Sequence, residues 1–188
     1  MKHTADVLDG RKEGRVSSDE VLQSACRDVA TYTNANRVSI WHFEKQEKIL
    51  HCDCCFDVDE DSFSSGQRLA SKDCPKYFKA ILTEQLIIAP DARRHSATDE
   101  LTDTYFLEND IYSLLDLMIH EDFKPMGVIC CENAGSQREW RDEDISYLRQ
   151  MGTLISFNFK RDQSYTPTVR PAQRYRPRGS AGLRRRPC

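Results

Sequence analysis

The chain has 188 residues, with 27 lysines and arginines against 30 aspartates and glutamates, a net charge of −3 and 39% hydrophobic residues. That length suits one domain whose core closes without disulfides or metals; no stretch approaches the roughly 20 apolar residues of a membrane span, and the first 18 residues lack the apolar run of a signal peptide. From Arg161 onward eight arginines face one aspartate, a local +7 that leaves −10 on residues 1–160, so the acidic body argues against specific nucleic-acid binding and only the tail suits weak contact with phosphate or anionic lipid.

A cytoplasmic, reducing location is expected, and the eight cysteines read as thiols, most of them small core residues. Their grouping does not support a zinc ribbon or finger. Residues 1–16 are polar and mixed in charge, which predicts a flexible, frayed N-terminus. Ser17 followed by Glu20 has the spacing of a capping box, and Val21, Leu22, Ala25, Cys26, Val29 and Tyr32 recur at helical spacing. A first amphipathic helix ending near Thr33 and Asn34 follows from this. The next run, NRVSIWHFEK, is rich in strand formers, with Val38, Ile40 and His42 on one face and Ser39, Trp41 and Phe43 on the other. A turn over Gln46–Lys48 makes a hairpin with KILHCDCCFD, where alternation puts Leu50, Cys52, Cys54 and Phe56 inward and His51, Asp53 and Cys55 opposite. Those last three are chemically competent metal ligands, but polar residues facing solvent from an edge strand make the same pattern, so no metal site is assigned.

Residues 57–66 read as an acidic loop, and Gln67–Leu69 as a brief strand. A second helix follows, with Asp73 as candidate N-cap, Pro75 in its first turn, and Tyr77, Phe78, Ile81 and Leu82 on its apolar stripe. A short strand, QLIIA, stops at Pro90, and a helix capped by Ser96 or Thr98 then carries Leu101, Tyr105 and Phe106. Two apolar runs, Ile111–Ile119 and Pro125–Asn133, predict adjacent antiparallel strands joined by a five-residue loop, His120–Lys124. Leu114, Asp116 and Met118 fall on one face, and Ser113, Leu115, Leu117 and Ile119 on the other. Both faces are mostly apolar, which predicts helices on both sides of the sheet. Cys130 and Cys131 point oppositely and read as packing residues, and Glu132 with Arg138 offers a local ion pair. The longest helix comes last, with acidic residues in its first turn and a stripe of Ile145, Leu148, Met151, Ile155 and Phe159. The Arg/Pro-rich residues 163–188 are expected to be disordered.

This order of elements, with the phrases ANRVSIWHF, CPKYFKAI, IAPDARRH, TDELTDTYFLENDIYSLLD and GVICCENAGSQREWRDEDISYL, resembles the GAF domain, a sensing and dimerisation module of signalling proteins. The resemblance spans roughly residues 18–160, giving a domain over residues 17–162, and is strongest to the bacterial GAF domains found ahead of histidine kinases and cyclic-di-GMP enzymes. It implies an α+β fold related to the PAS domain. A central antiparallel sheet of five to six strands would carry the first and last helices on one face and the middle helices over a ligand pocket on the other. It implies a homodimer through the outer helices, around Gln23, Arg27, Arg149 and Phe157.

By the same resemblance Ser39, Trp41 and Phe43 face the pocket, Asp91, His95 and Tyr105 lie on the segments covering it, and Asp116 stands on the central strand. Aromatic walls with few polar groups suit an uncharged or amphipathic small molecule, although the same aromatics would also fill a closed core. No cofactor is specified. A covalently held bilin would need a cysteine in TYFLENDIYS, which has none. Cyclic-nucleotide-binding members carry a pattern that Asn133, Trp140 and Asp144 match only in part, with Ala134 and Ile145 in place of its Lys and Glu. The enzymatic exception, free methionine sulfoxide reductase, would place its nucleophile near Leu107, which is not a thiol. The expected function is therefore a non-catalytic sensory domain acting on a separate output protein, with a ligand-free dimerisation module as the alternative.

Overall fold

The computed structural model describes Thr4, Asp6, Val7, Asp9, Gly10 and residues 17–161. The Arg/Pro-rich tail lies outside the described residues. Ser17 accepts the backbone N–H of Glu20 while Glu20 accepts that of Ser17, closing the predicted capping box at the start of α1 (Ser18–Thr33). Asn34 then takes a left-handed conformation, φ 54°, and ends the helix. In the segment read as frayed, the five described residues are helical, and the Thr4 backbone N–H and hydroxyl donate to Asp28 on α1 at 2.9 and 2.6 Å.

Next come β1 (Arg37–Glu44), β2 (Ile49–Asp57), β3 (Ser62–Ser64) and β4 (Arg68–Ala70), then α2 (Pro75–Glu84) and β5 (Leu86–Ala89). A 3-10 turn (Asp99–Leu101) runs into a π turn (Thr102–Phe106), followed by β6 (Ile111–Glu121), β7 (Lys124–Ala134) and α3 (Asp142–Arg161). The chain is α+β. Its antiparallel sheet has seven strands in the order β3-β2-β1-β7-β6-β5, with β4 also pairing β2. The count exceeds five to six because β3 forms inside the stretch read as an acidic loop.

The two sheet faces hold separate cores. On one, Leu22, Ala25, Cys26 and Val29 of α1 and Leu148, Met151 and Ile155 of α3 meet Val38, Ile40, Leu115, Leu117 and Ile119. Each fully buried aliphatic side chain there contributes about 1.5–3 kcal/mol. Gly152 of α3 faces the sheet: a Cβ there would stand 3.5 Å from Cδ2 of Leu117. On the other face, Tyr77, Phe78 and Ile81 of α2 pack with Phe106, Leu114, Met118 and Val128.

Four local readings are corrected. First, the β6–β7 connection is a two-residue turn of Asp122 and Phe123, with φ of 48° and 63°, because both strands extend through the polar residues read as loop; positive φ at both positions matches the right-handed strand twist. Second, no regular helix covers residues 96–109: Thr98 donates its hydroxyl to Ala92 O at 2.6 Å, and only the 3-10 and π turns follow. Third, α2 begins after Cys74 with no side-chain cap there, and Glu100 accepts the Tyr77 N–H at 2.9 Å instead.

The fourth concerns β2. Ile40 pairs with Cys54 but Trp41 with Cys52, so Asp53 is an extra residue in a bulge and strict alternation breaks there. Leu50, Cys52 and Cys55 share the face of Trp41, whereas Cys54 and Phe56 share that of Ile40. His51 and Asp53 turn to the helix side, towards His42, and part from Cys55.

Candidate functional site

A cavity of about 330 Å³ lies on the sheet face opposite α1 and α3. Trp41, Leu50, Leu69, Leu101, Phe106 and Leu114 give it apolar walls, contributed by β1, β2, β4, the two turns and β6. Ser39, also in the wall, accepts the Trp41 indole N–H at 2.8 Å, which fixes the ring plane.

Asp116 projects into this space from β6 and is 1% exposed. Tyr77 donates its hydroxyl to Oδ2 at 2.5 Å. Oδ1 has no partner in hydrogen-bond geometry; the Cys130 thiol, directly across the β6–β7 pair, is its neighbour and a weak donor. Burial dominates and lifts the Asp116 pKa to about 7, against the opposing influence of Cys130 and Tyr77.

A second buried carboxylate, Glu132 on β7, accepts the Tyr105 hydroxyl at 2.9 Å. Arg37 Nε is 3.8 Å from Glu132 Oε2 and 3.7 Å from Asp57 Oδ2, while Nη1 donates to Asn109 Oδ1 at 2.8 Å. Burial raises the Glu132 pKa, and Arg37 and Tyr105 only partly offset it. Burial opposes the charge on Arg37, but the Glu132 carboxylate favours it and the guanidinium stays charged. The cavity thus has an aromatic end at Trp41, an acid at Asp116 whose Oδ1 has only the Cys130 thiol beside it, and an Arg37–Glu132–Tyr105 cluster in which Arg37 Nε has no hydrogen-bond partner.

Of the residues assigned to the pocket, Ser39, Trp41, Tyr105 and Asp116 line this cavity. Phe43 faces the same way but packs edge-on to Phe78, with ring centroids 6.2 Å apart. Asp91 and His95 do not reach it. The Asp91 carbonyl accepts the N–H groups of Arg94 and His95 in a turn, and His95 Nδ1 accepts the Ala97 N–H at 3.3 Å. Arg37, Tyr77, Cys55 and Glu132 were missed. Glu132 alone carried a signal, as a charged residue inside an apolar strand run on the same alternation as Cys130.

The expected Glu132–Arg138 pair does not form, because Glu132 faces the cavity. Arg138 instead lies over Trp140, 4.2 Å from the ring centroid, and within 3.4 Å of Asp144. Asn133 donates to Ser136 O at 2.8 Å, so with Asp144 and Trp140 it braces the link into α3 and stands apart from the cavity. The seven described cysteines are buried and free.

A family model for the GAF domain matches residues 17–159. No curated protein matches the chain. Among solved structures, the GAF domain from Acinetobacter phosphoenolpyruvate-protein phosphotransferase superposes with TM-score 0.67 at 15% identity, over 89% of this chain and 96% of that one. The phycocyanobilin-bound GAF domain of a cyanobacterial phytochrome gives 0.65 at 11%, over 84% and 94%. The Stigmatella aurantiaca phytochrome photosensory core module gives 0.63 at 14%, over 85% of this chain and 36% of that longer one. At such identities the likeness concerns the fold alone.

Proposed function

The chain belongs to the GAF domain family, and on that premise we propose that it is a non-catalytic sensory domain that binds an uncharged or amphipathic small molecule in the Trp41–Asp116 cavity. The observation that carries this reading is Asp116 Oδ1, a buried acceptor without a hydrogen-bond partner, aimed into a largely apolar cavity. A buried polar atom left unpaired costs about 1–3 kcal/mol, and a ligand N–H or O–H would recover it. The volume is at the low end of the roughly 300–1,000 Å³ typical of ligand pockets, which favours a compact ligand. A GAF relative of the same fold holds phycocyanobilin; here the segment before β6 has no cysteine to tether such a group.

The thiols support a non-catalytic role. Burial raises the pKa of Cys52 and Cys130, and lifts Cys55 to about 11 and Cys74 to about 12, so none of these four is poised as a thiolate nucleophile. The position expected for a reductase nucleophile, Leu107, is an exposed leucine. Turnover of free methionine sulfoxide, lost on changing any of Cys52, Cys54, Cys55 or Cys74, would refute this part of the reading.

The protein is further proposed to dimerise through α1 and α3 and to pass the ligand signal to a separate output protein. Phe157 is 56% exposed and Tyr32 47% exposed on these helices. Native mass spectrometry of protein purified gently from its own host is the test. A discrete added mass on the wild type that is absent from Trp41→Ala, with both remaining dimers, is the expected result. An added mass retained by Trp41→Ala overturns the cavity assignment, and a bare dimer favours the ligand-free interaction module. Among the described residues no helix is long and apolar enough to cross a membrane.

A further inference from the structure

We propose that the β1–β2 hairpin carries a site for a transition-metal dication of the zinc class, formed by His42, His51 and Asp53 on the sheet face opposite the cavity. His42 and His51 are directly paired across the two strands, with ring centroids 5.0 Å apart. The bulge adds Asp53 beside them. Leu50 and Cys52 before it, and Cys55 and Phe56 after it, hold the faces that a regular strand lacking one residue would give them, so core packing has no need of the extra residue. What the bulge does supply is a carboxylate between two imidazoles.

The distances suit a small cation. Asp53 Oδ1 is 2.8 Å from His42 Nδ1 and 3.5 Å from His51 Nδ1. One donor atom from each of the three side chains lies within 4.8 Å of the other two. Ligand atoms about 2.0–2.2 Å from a tetrahedral zinc stand about 3.3–3.6 Å apart, so small side-chain adjustments complete the set. His51 Nδ1 is buried and has no hydrogen-bond partner, which leaves a lone pair for a metal.

Behind His42, Nε2 lies 3.6 Å from Glu44 Oε1, and Glu44 is itself held by Arg68. A carboxylate behind a ligating imidazole is the usual outer support of such a site. The side chains of His42, His51 and Asp53 are 22%, 17% and 8% exposed, so a fourth, solvent-derived ligand can reach the ion. Two imidazole nitrogens and one carboxylate oxygen favour Zn²⁺, Co²⁺ or Ni²⁺ over the hard cations Mg²⁺ and Ca²⁺.

The experiment is titration of the chelator-treated full chain with Co²⁺, followed by visible absorption and by NMR of the histidine rings. The expected result is one equivalent bound, with d–d bands, no thiolate-to-cobalt charge transfer in the near ultraviolet, and paramagnetic shifts at His42 and His51 but not at His95 or His120. His51→Ala and Asp53→Asn should each abolish it, and Glu44→Gln should weaken it about 10- to 100-fold. Should His51→Ala fail to fold, His51→Gln fills nearly the same space and answers the same question, with far-UV circular dichroism as the control. Absence of binding, a thiolate band, or affinity unchanged in His51→Ala, His51→Gln or Asp53→Asn overturns the proposal.

Discussion

Asp116 ties the cavity to a measurable property of the whole fold. Its pKa is lifted to about 7 from an ordinary 3.8, so between these values the folded protein holds a proton that the unfolded chain has lost. Stability from this group is therefore fully present at acid pH below the ordinary value, falls as pH rises through the window, and levels off above the folded pKa. Tyr77 from α2, with Cys130 and Glu132 from β7, are the titratable groups that share this environment. Asp116→Asn keeps an acceptor for Tyr77 but cannot ionise. Urea unfolding of both proteins from about pH 4.5 to pH 8.5 should show a steeper decline in the parent, because the raised Glu132 and His42 titrate in both, with the variant more stable at the upper end by on the order of a few kcal/mol. Equal pH profiles would refute the assignment. The sequence marked Asp116, a carboxylate inside an apolar strand, but Tyr77 stands 39 residues away and no local pattern joins the two.

Among the elements, β1 and β7 pair at Gly127 with no room for a side chain. A Cβ there would fall 1.9 Å from the Trp41 carbonyl oxygen, so the obstacle is backbone and cannot rotate away. Gly127→Ala should cost at least about 3 kcal/mol in chemical denaturation, or leave the protein insoluble, because the strands must separate. The β6–β7 turn has the opposite prospect. Phe123 occupies a left-handed conformation with its side chain wholly exposed, so Phe123→Gly should raise stability by roughly 1 kcal/mol and the melting temperature by a few degrees. The Ser17–Glu20 capping box, the apolar stripes of α1, α2 and α3 and the faces of β6 and β7 were legible because each rests on local spacing. The bulge, the length of this turn and the 3-10 and π turns were not. Each is set by a partner strand or by a bond such as Thr98 to Ala92 that only the assembled chain supplies.

At the scale of the molecule, α3 presents Phe157 to solvent, whereas Tyr32 stacks on Tyr147 with ring centroids 3.9 Å apart and Arg27, expected in the dimer surface, is also engaged within its own chain. It pairs with Asp61 at 2.8 Å and lies over the rings of Phe56 and Phe63. The proposed interface thus centres nearer Phe157. Phe157→Glu should convert a dimer to a monomer in sedimentation or light scattering without lowering the melting temperature of the fold, and an unchanged mass would place the contact elsewhere. The family was legible in the order of elements, since that order fixes a sheet with one helical layer made by the two ends of the domain.

The close approach of Gly152 to Leu117 has a mechanical meaning. Asp116 belongs to the cavity, while its neighbours Leu115 and Leu117 belong to the core under α1 and α3. The sheet is one chain thick, so the span between the proposed ligand site at Asp116 and the underside of a terminal helix is a single residue of β6. Any tilt of that strand acts like a seesaw whose two arms are successive side chains, and α3, seated against Leu117 without a side chain of its own at Gly152, has no soft layer to absorb it.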